Sequence, residues 1–164
     1  EALLLDPRHG PVYNAYGNME RRRGNVEEAR RIYKQGIQAE CTDPASVFHG
    51  LAQLELALGN VAIARMILNE GLRQVESQSR FMDSSRHERA IFLVHTLGMI
   101  ELNTNRAVVA SLIFKEGIAK YGNSSQLLLG AALSEVKLGN EEKAREWFEL
   151  AARSDKRHAQ AWQA

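Results

Sequence analysis

The sequence predicts an all-α protein: a right-handed α-solenoid (superhelix) of stacked antiparallel helical hairpins. Three observations predict it. First, one phrase recurs four times, opened by Glu20, Glu55, Glu101 and Glu135. Four residues on stand Gly24, Gly59, Asn105 and Gly139; nine on stand Ala29, Ala64, Ala110 and Ala144. Thirteen on stand Tyr33, Leu68, Phe114 and Phe148, and sixteen on Gly36, Gly71, Gly117 and Ala151. Second, the four Glu are spaced by 35, 46 and 34 residues, a period that marks stacked helical hairpins. Third, there are only three prolines and no run of alternating β-branched residues, so strands are not expected.

Each hairpin has a first helix, A, and a second, B. In the first full repeat helix A is expected over about Pro11–Arg23, since Pro fits a first helical turn. Gly24 suits the left-handed residue that ends a helix. Asn25 is placed to cap helix B, with Glu28 three residues on as in a capping box. Helix B then runs from Val26 to about Glu40. The Gly-Asn corner recurs at Gly59-Asn60 and Gly139-Asn140, whereas Asn105-Arg106 replaces it in the third repeat. That corner is expected to be the least regular, because Arg cannot cap.

Repeat two starts at Asp43-Pro44. The stretch after Glu76 exceeds the period, so Gln78–Asp83 reads as a loop. Ser85-Arg-His-Glu88 reads as a capping box that starts the third A helix early, near Ser84 or Ser85. Repeat four runs from Ser124 to about Ser154. The whole chain, 1–164, is read as a single array with repeats at about 10–41, 43–79, 84–122 and 124–156. Partial repeats flank it, because Asp6-Pro-Arg-His9 with Tyr13 resembles Asp155-Lys-Arg-His158 with Trp162. We read the chain as an excerpt of a longer array that stops two turns into a further repeat.

Helical spacing assigns Tyr13, Phe48, Val94 and Leu128, and Tyr16, Leu51, Leu97 and Ala131, to the space between helices A and B. Gly17, Ala52, Gly98 and Ala132 are small so that backbones can approach. The net charge of +1 names no partner, and a strongly basic balance that would favour nucleic acid is absent. The single cysteine, Cys41, excludes an internal disulfide and suits an intracellular setting; it reads as a hairpin-end packing residue. No apolar run reaches membrane-spanning length.

The arrangement aromatic–x6–Glu–x3–Gly-Asn–x3–Ala-Arg–x2–Ile–aromatic resembles tetratricopeptide repeats (TPR). It is most similar to their half-a-TPR (HAT) variant, which carries Glu where other TPRs carry an aromatic. The resemblance covers essentially the whole chain and implies RNA processing, with single-stranded RNA or protein partners, no cofactor and no enzymatic activity. Asp155-Lys-Arg-His158 with Trp162 and the Gly-Asn-x-Glu-x-Ala-Arg corners look most like chloroplast factors that stabilise mRNA ends. The resemblance therefore implies a chloroplast setting, with the nucleus as the alternative.

No phosphate loop, metal-ligand spacing or nucleophile elbow is present. Glu20 with Arg30, Glu55 with Arg65 and Glu135 with Arg145 lie level across each corner and read as structural pairs; Glu101 lacks its Arg. The A-helix positions expected to face the concave side carry Asn14, Asn18, Arg21 and Arg22; His49 and Gln53; His95, Met99 and Asn103; and Leu129, Leu133 and Lys137. Polar groups that can bond base edges, with Arg for phosphate or stacking, suit single-stranded RNA. The same positions suit a solvated face, and Leu129 with Leu133 suit a protein-binding scaffold. Fold alone does not separate these readings.

Overall fold

A computed structural model describes residues 8–77 and 84–161, without the side chains of Ser84, Arg86 and 155–161. The described residues form helices, turns and short connections, with no strand among them. The chain divides into two compact units, Glu1–Met82 and Asp83–Ala164.

The first unit holds α1 (Gly10–Arg22), α2 (Val26–Gln38), α3 (Pro44–Ala57) and α4 (Val61–Ser77). The second holds α5 (Ser84–Asn103), α6 (Ala107–Tyr121), α7 (Ser125–Lys137) and α8 (Glu141–Ala161). In each unit the two helices of a hairpin pack together. The B helix of the first hairpin and its A helix both pack on the A helix of the second.

The corners follow from backbone chemistry. Gly24, Gly59 and Gly139 have φ of 81°, 79° and 76°, the left-handed region where a side chain is costly. Asn105 takes the same region at φ 59°, which Asn tolerates. At all four corners the amide five residues after the Glu donates back to its carbonyl: Asn25 to Glu20, Asn60 to Glu55, Arg106 to Glu101 and Asn140 to Glu135. The third corner is thus as regular as the others. The expectation that Arg106 would disturb it fails, because this turn needs only a backbone N–H there.

The cap expectation fails too. Asn25 makes no side-chain cap bond, and neither does Arg106. Asn25 Nδ2 donates instead to Glu20 Oε2 at 2.7 Å, as Asn60 does to Glu55 at 2.8 Å and Asn140 to Glu135 at 2.7 Å. A buried carboxylate competes for the amide more strongly than the first helical turn does.

The aromatic of helix B organises each unit's packing. Tyr33 is fully buried between Gly17 of its own A helix and Gly50 of the next; a Cβ at either would lie 2.5 Å from its ring. Phe114 sits likewise between Gly98 and Gly130, where a Cβ would lie 2.3 Å from its ring. Around Tyr33 the first unit buries Tyr13, Ile32, Cys41, Val47, Leu51 and Leu54. Cys41 closes the hairpin end, with Sγ 3.0 Å from the Gly36 carbonyl.

Three further expectations change. Helix α5 does begin early, at Ser84 as expected, but Ser85 then lies inside it rather than at its cap. Helix α8 continues to Ala161, so no corner near Ser154 separates a further helix. Tyr16 is exposed rather than packed between helices. The predicted loop at Gln78–Asp83 lies outside the described residues.

Candidate binding face

The repeated Glu residues are buried in every copy and each is held. Their partners, however, are not those that corner geometry predicts. Arg30 does not reach Glu20. Its Nε donates to Oε1 of Glu55, on the next hairpin, at 2.7 Å, and its Nη2 to Oε2 at 3.3 Å. Glu20 is held by Asn25 and by Arg23 at 3.2 Å. Arg65 is not among the partners of Glu55, which are Arg30 and Asn60. Glu135 accepts from Lys115 at 2.7 Å and Ser111 at 2.9 Å, both on the preceding hairpin, and not from Arg145.

The reason is reach. The B helix turns the Arg30 face away from its own A helix and toward the next, so the pair ties hairpins together. The Arg30 hydrogen bond, and then that of Asn60, holds the Glu55 carboxyl below its usual range. Lys115, then Asn140 and Ser111, holds Glu135 down to about 2. Glu101 is held by Arg106 at 3.3 Å, the residue that replaces Asn at its corner.

The A-helix row divides by unit. In the first, Asn14, Asn18 and Arg21 of α1 and His49 and Gln53 of α3 are half-buried. Asn18 Nδ2 donates to Asn14 Oδ1 at 3.0 Å. The Gln53 amide lies 3.4 Å from the His49 ring nitrogen. Burial, and then the positive charge of Arg21, pushes His49 below its ordinary value. The Arg21 Nε and the Tyr33 hydroxyl are both buried without a hydrogen-bond partner. The three consecutive arginines do not act as one cluster: Arg21 turns into this polar set, Arg22 is exposed and Arg23 bonds Glu20.

In the second unit the row is mixed, with Met99, Leu129 and Leu133 beside His95, Asn103 and Lys137. His95 leans on the Phe114 ring, 6.1 Å between centroids, and burial lowers its pKa. Leu129 and Leu133 of α7 are 44% and 37% exposed. Asn103 is exposed, whereas Lys137 is occupied, its Nζ donating to the Leu102 carbonyl at 3.0 Å. Where the early start of α5 passes the α6–α7 connection, a recess of about 530 Å³ is lined by Glu88, Ile91, Phe92, Tyr121, Asn123 and Gln126. Among the described residues there is no cluster of three His, Cys, Asp or Glu that could hold a metal ion. No described helix is long and apolar enough to cross a membrane.

Sequence reasoning missed Gly50 and Gly130, the outer walls of the aromatic slots. Their position carries Ala15 and Thr96 in the other copies, so the period alone did not mark them. Their signal is the pairing of a Gly with a Tyr or Phe 17 or 16 residues earlier.

The fold is that of TPR-like helical solenoids. The chain is similar to the crystal structure of MamA (TM-score 0.66, 14% identity, covering 97% of this chain and 85% of that one). It is also similar to BtubC from P. vanneervenii (0.70, 15%, covering 92% and 64%). A tetratricopeptide repeat protein from Parabacteroides merdae matches as well (0.62, 19%, covering 95% and 57%). Cut9, in the hetero-tetramer of the APC/C proteins Cut9 and Hcn1, matches over 94% of this chain and 27% of its own (0.65, 16%). No protein-family profile matches the sequence, and no curated protein is significantly similar to it.

Proposed function

We propose that the protein is a protein-binding scaffold in which the A helices within a unit grip an extended or helical peptide segment. The observation that carries this is the exposed Leu129–Leu133 pair in the second unit, beside a lysine already bonded to a backbone carbonyl. Adjacent exposed leucines on one helix suit apolar side chains of a partner and do nothing for phosphates. The half-buried histidines point the same way. Burial keeps His49 and His95 neutral near pH 7, so they offer amide-like hydrogen bonding rather than positive charge. The pairing of Cut9 with Hcn1 in a related fold supports the reading by analogy.

RNA remains the second reading, favoured by Asn14, Asn18, Arg21 and Gln53 gathered on one face of the first unit. A 12-residue single-stranded RNA of mixed sequence and an array of 15-residue peptides, each titrated against the chain, separate the two. We expect sequence-selective peptide binding that falls about tenfold or more in Leu129→Asp, an apolar anchor being worth at least 1.4 kcal/mol. Salt-sensitive RNA binding that falls in Arg21→Ala, with no peptide bound, overturns the scaffold reading in favour of RNA.

A further inference from the structure

The two aromatic slots differ by one hydroxyl. Tyr33 and Phe114 each fill a gap between glycines of successive A helices. Phe114 ends there, with His95 leaning on its ring. Tyr33 carries an oxygen further. Its Cζ, which bears the hydroxyl, lies 2.5 Å from where a Cβ on Gly17 would stand and 3.0 Å from one on Gly50. The ring tip therefore passes between α1 and α3. Asn14 Oδ1, an atom of the A-helix row, borders the same point of Gly50, at 2.5 Å. A side chain that starts on a B helix thus brings its polar end to the row.

Nothing among the described residues satisfies that end. Tyr33 is 0% exposed, and its hydroxyl makes no hydrogen bond. Burial, opposed in part by the nearby Arg21 charge, keeps the phenol above its ordinary value, so it stays a neutral donor. The Arg21 Nε is buried and unbonded as well. No carboxylate answers the Arg21 charge. Its neighbours in the row are Asn14, Asn18, His49 and Gln53. Glu20 is held by Asn25 and Arg23, and Glu55 by Arg30 and Asn60. Two buried donors, one of them on a cation, are thus close enough to interact and share no acceptor. Buried polar groups are nearly always bonded, and leaving them unpaired costs stability.

We propose that Tyr33 Oη and Arg21 Nε together receive the carboxylate of an Asp or Glu side chain in the bound peptide, which makes Tyr33 a specificity-determining residue of the first unit. The inference rests on the peptide-binding reading and names the chemistry of the partner. A carboxylate accepts from both donors at once and supplies the charge that Arg21 lacks, a charge-assisted bond of the stronger kind. The acid must come on a side chain, because Tyr33 lies wholly beneath the surface of the row. The second unit has no counterpart. Phe114 offers no hydroxyl, and Leu102 and Val136 stand where Arg21 does.

The same peptide array tests it, each peptide amidated at its C-terminus so that side chains carry the only carboxylates. Each is paired with a copy in which Asp and Glu become Asn and Gln. A set of peptides should bind the wild type about tenfold more tightly than their amide copies, as a hydrogen bond to a charged group predicts. Tyr33→Phe changes no charge and should lose most of that difference, and so should Arg21→Gln. Phe fits such a slot, as Phe114 shows, so Tyr33→Phe should fold with a urea midpoint no lower than that of the wild type. Peptides that bind without preferring the acid, or a preference that survives Tyr33→Phe, overturn this inference and leave the scaffold reading standing. A lower midpoint in Tyr33→Phe with peptide binding unchanged gives the hydroxyl to the fold and overturns it too. Binding of no peptide overturns the scaffold reading and this inference with it. If mixed-sequence RNA then binds and weakens in Tyr33→Phe, the pair serves a phosphate instead.

Discussion

The two units solve one mechanical problem with different side chains. In the first, a bidentate guanidinium ties one hairpin to the next through Arg30 and Glu55. In the second, Ser111 and Lys115 together take the place of that arginine on Glu135. The aromatic slot is Tyr33 between two glycines in one and Phe114 between two glycines in the other. The A-helix rows instead differ in kind, polar throughout in the first unit and half apolar in the second, through Met99, Leu129 and Leu133. The junction constrains shape and charge but tolerates any residues that supply them. The row is free of that constraint, which makes it the place where binding chemistry can diverge.

The strongest way to break the likeness of the junctions is to fill a slot. Gly130→Leu and Gly50→Leu should each cost about 3 kcal/mol, because a rigid buried ring cannot yield to the added side chain. Urea unfolding should show the midpoint falling in both. A midpoint that falls in only one would mean that the two slots are not equivalent.

Ala64 and Ala110 are fully buried at matching points of α4 and α6. Replacing either with Leu should cost about 1–3 kcal/mol by overpacking the helix crossing. Equal losses would sharpen the comparison, and an unchanged midpoint in either would contradict the shared register.

The ion pairs should differ modestly. Glu55→Gln removes the acceptor of a bidentate pair whose arginine is mostly buried, and should cost about 2 kcal/mol. Glu135→Gln should cost less, about 1 kcal/mol, because Lys115 is more exposed and can return to water. Both carboxyls titrate below their unfolded values. Their contributions should therefore be complete above about pH 4.5 and be lost as pH falls, for Glu135 toward its folded value of about 2. Acid titration of stability in the two Gln variants should show a shallower loss than the wild type over that window.

The smallest effect on stability, and the largest on binding, is expected in the rows. Exchanging Leu129 and Leu133 for Asn should change the unfolding free energy by less than about 0.5 kcal/mol, as exposed substitutions do. The peptide preference of the second unit should move toward that of the first. A large stability loss would show that these leucines pack rather than bind.

Much of the fold was legible because it rests on local rules. The 34-residue period, the left-handed Gly at the corners and the buried Ala and aromatic of helix B all follow from backbone conformation and helical periodicity, which the sequence carries directly. Asn105 and Arg106 show the limit of that reading. Their corner looked irregular by capping rules, but its turn is held by backbone bonds that any residue but proline can make. The candidate rows were legible only as positions on a helix. Which side chains are exposed, as Leu129 is, and which are already engaged, as Lys137 is by the Leu102 carbonyl, depends on neighbours from other hairpins.

By itself, then, the amino-acid order determined the helices, their corners and their pairing into hairpins, because those interactions span few residues. Only the tertiary structure decided that Arg30 serves Glu55 and not Glu20, and that Gly50 and Gly130 wall the aromatic slots. Each of these depends on where one helix lies against a helix of another hairpin. That is set by the rotation of each B helix and the packing of whole side chains, and no spacing along the chain encodes it.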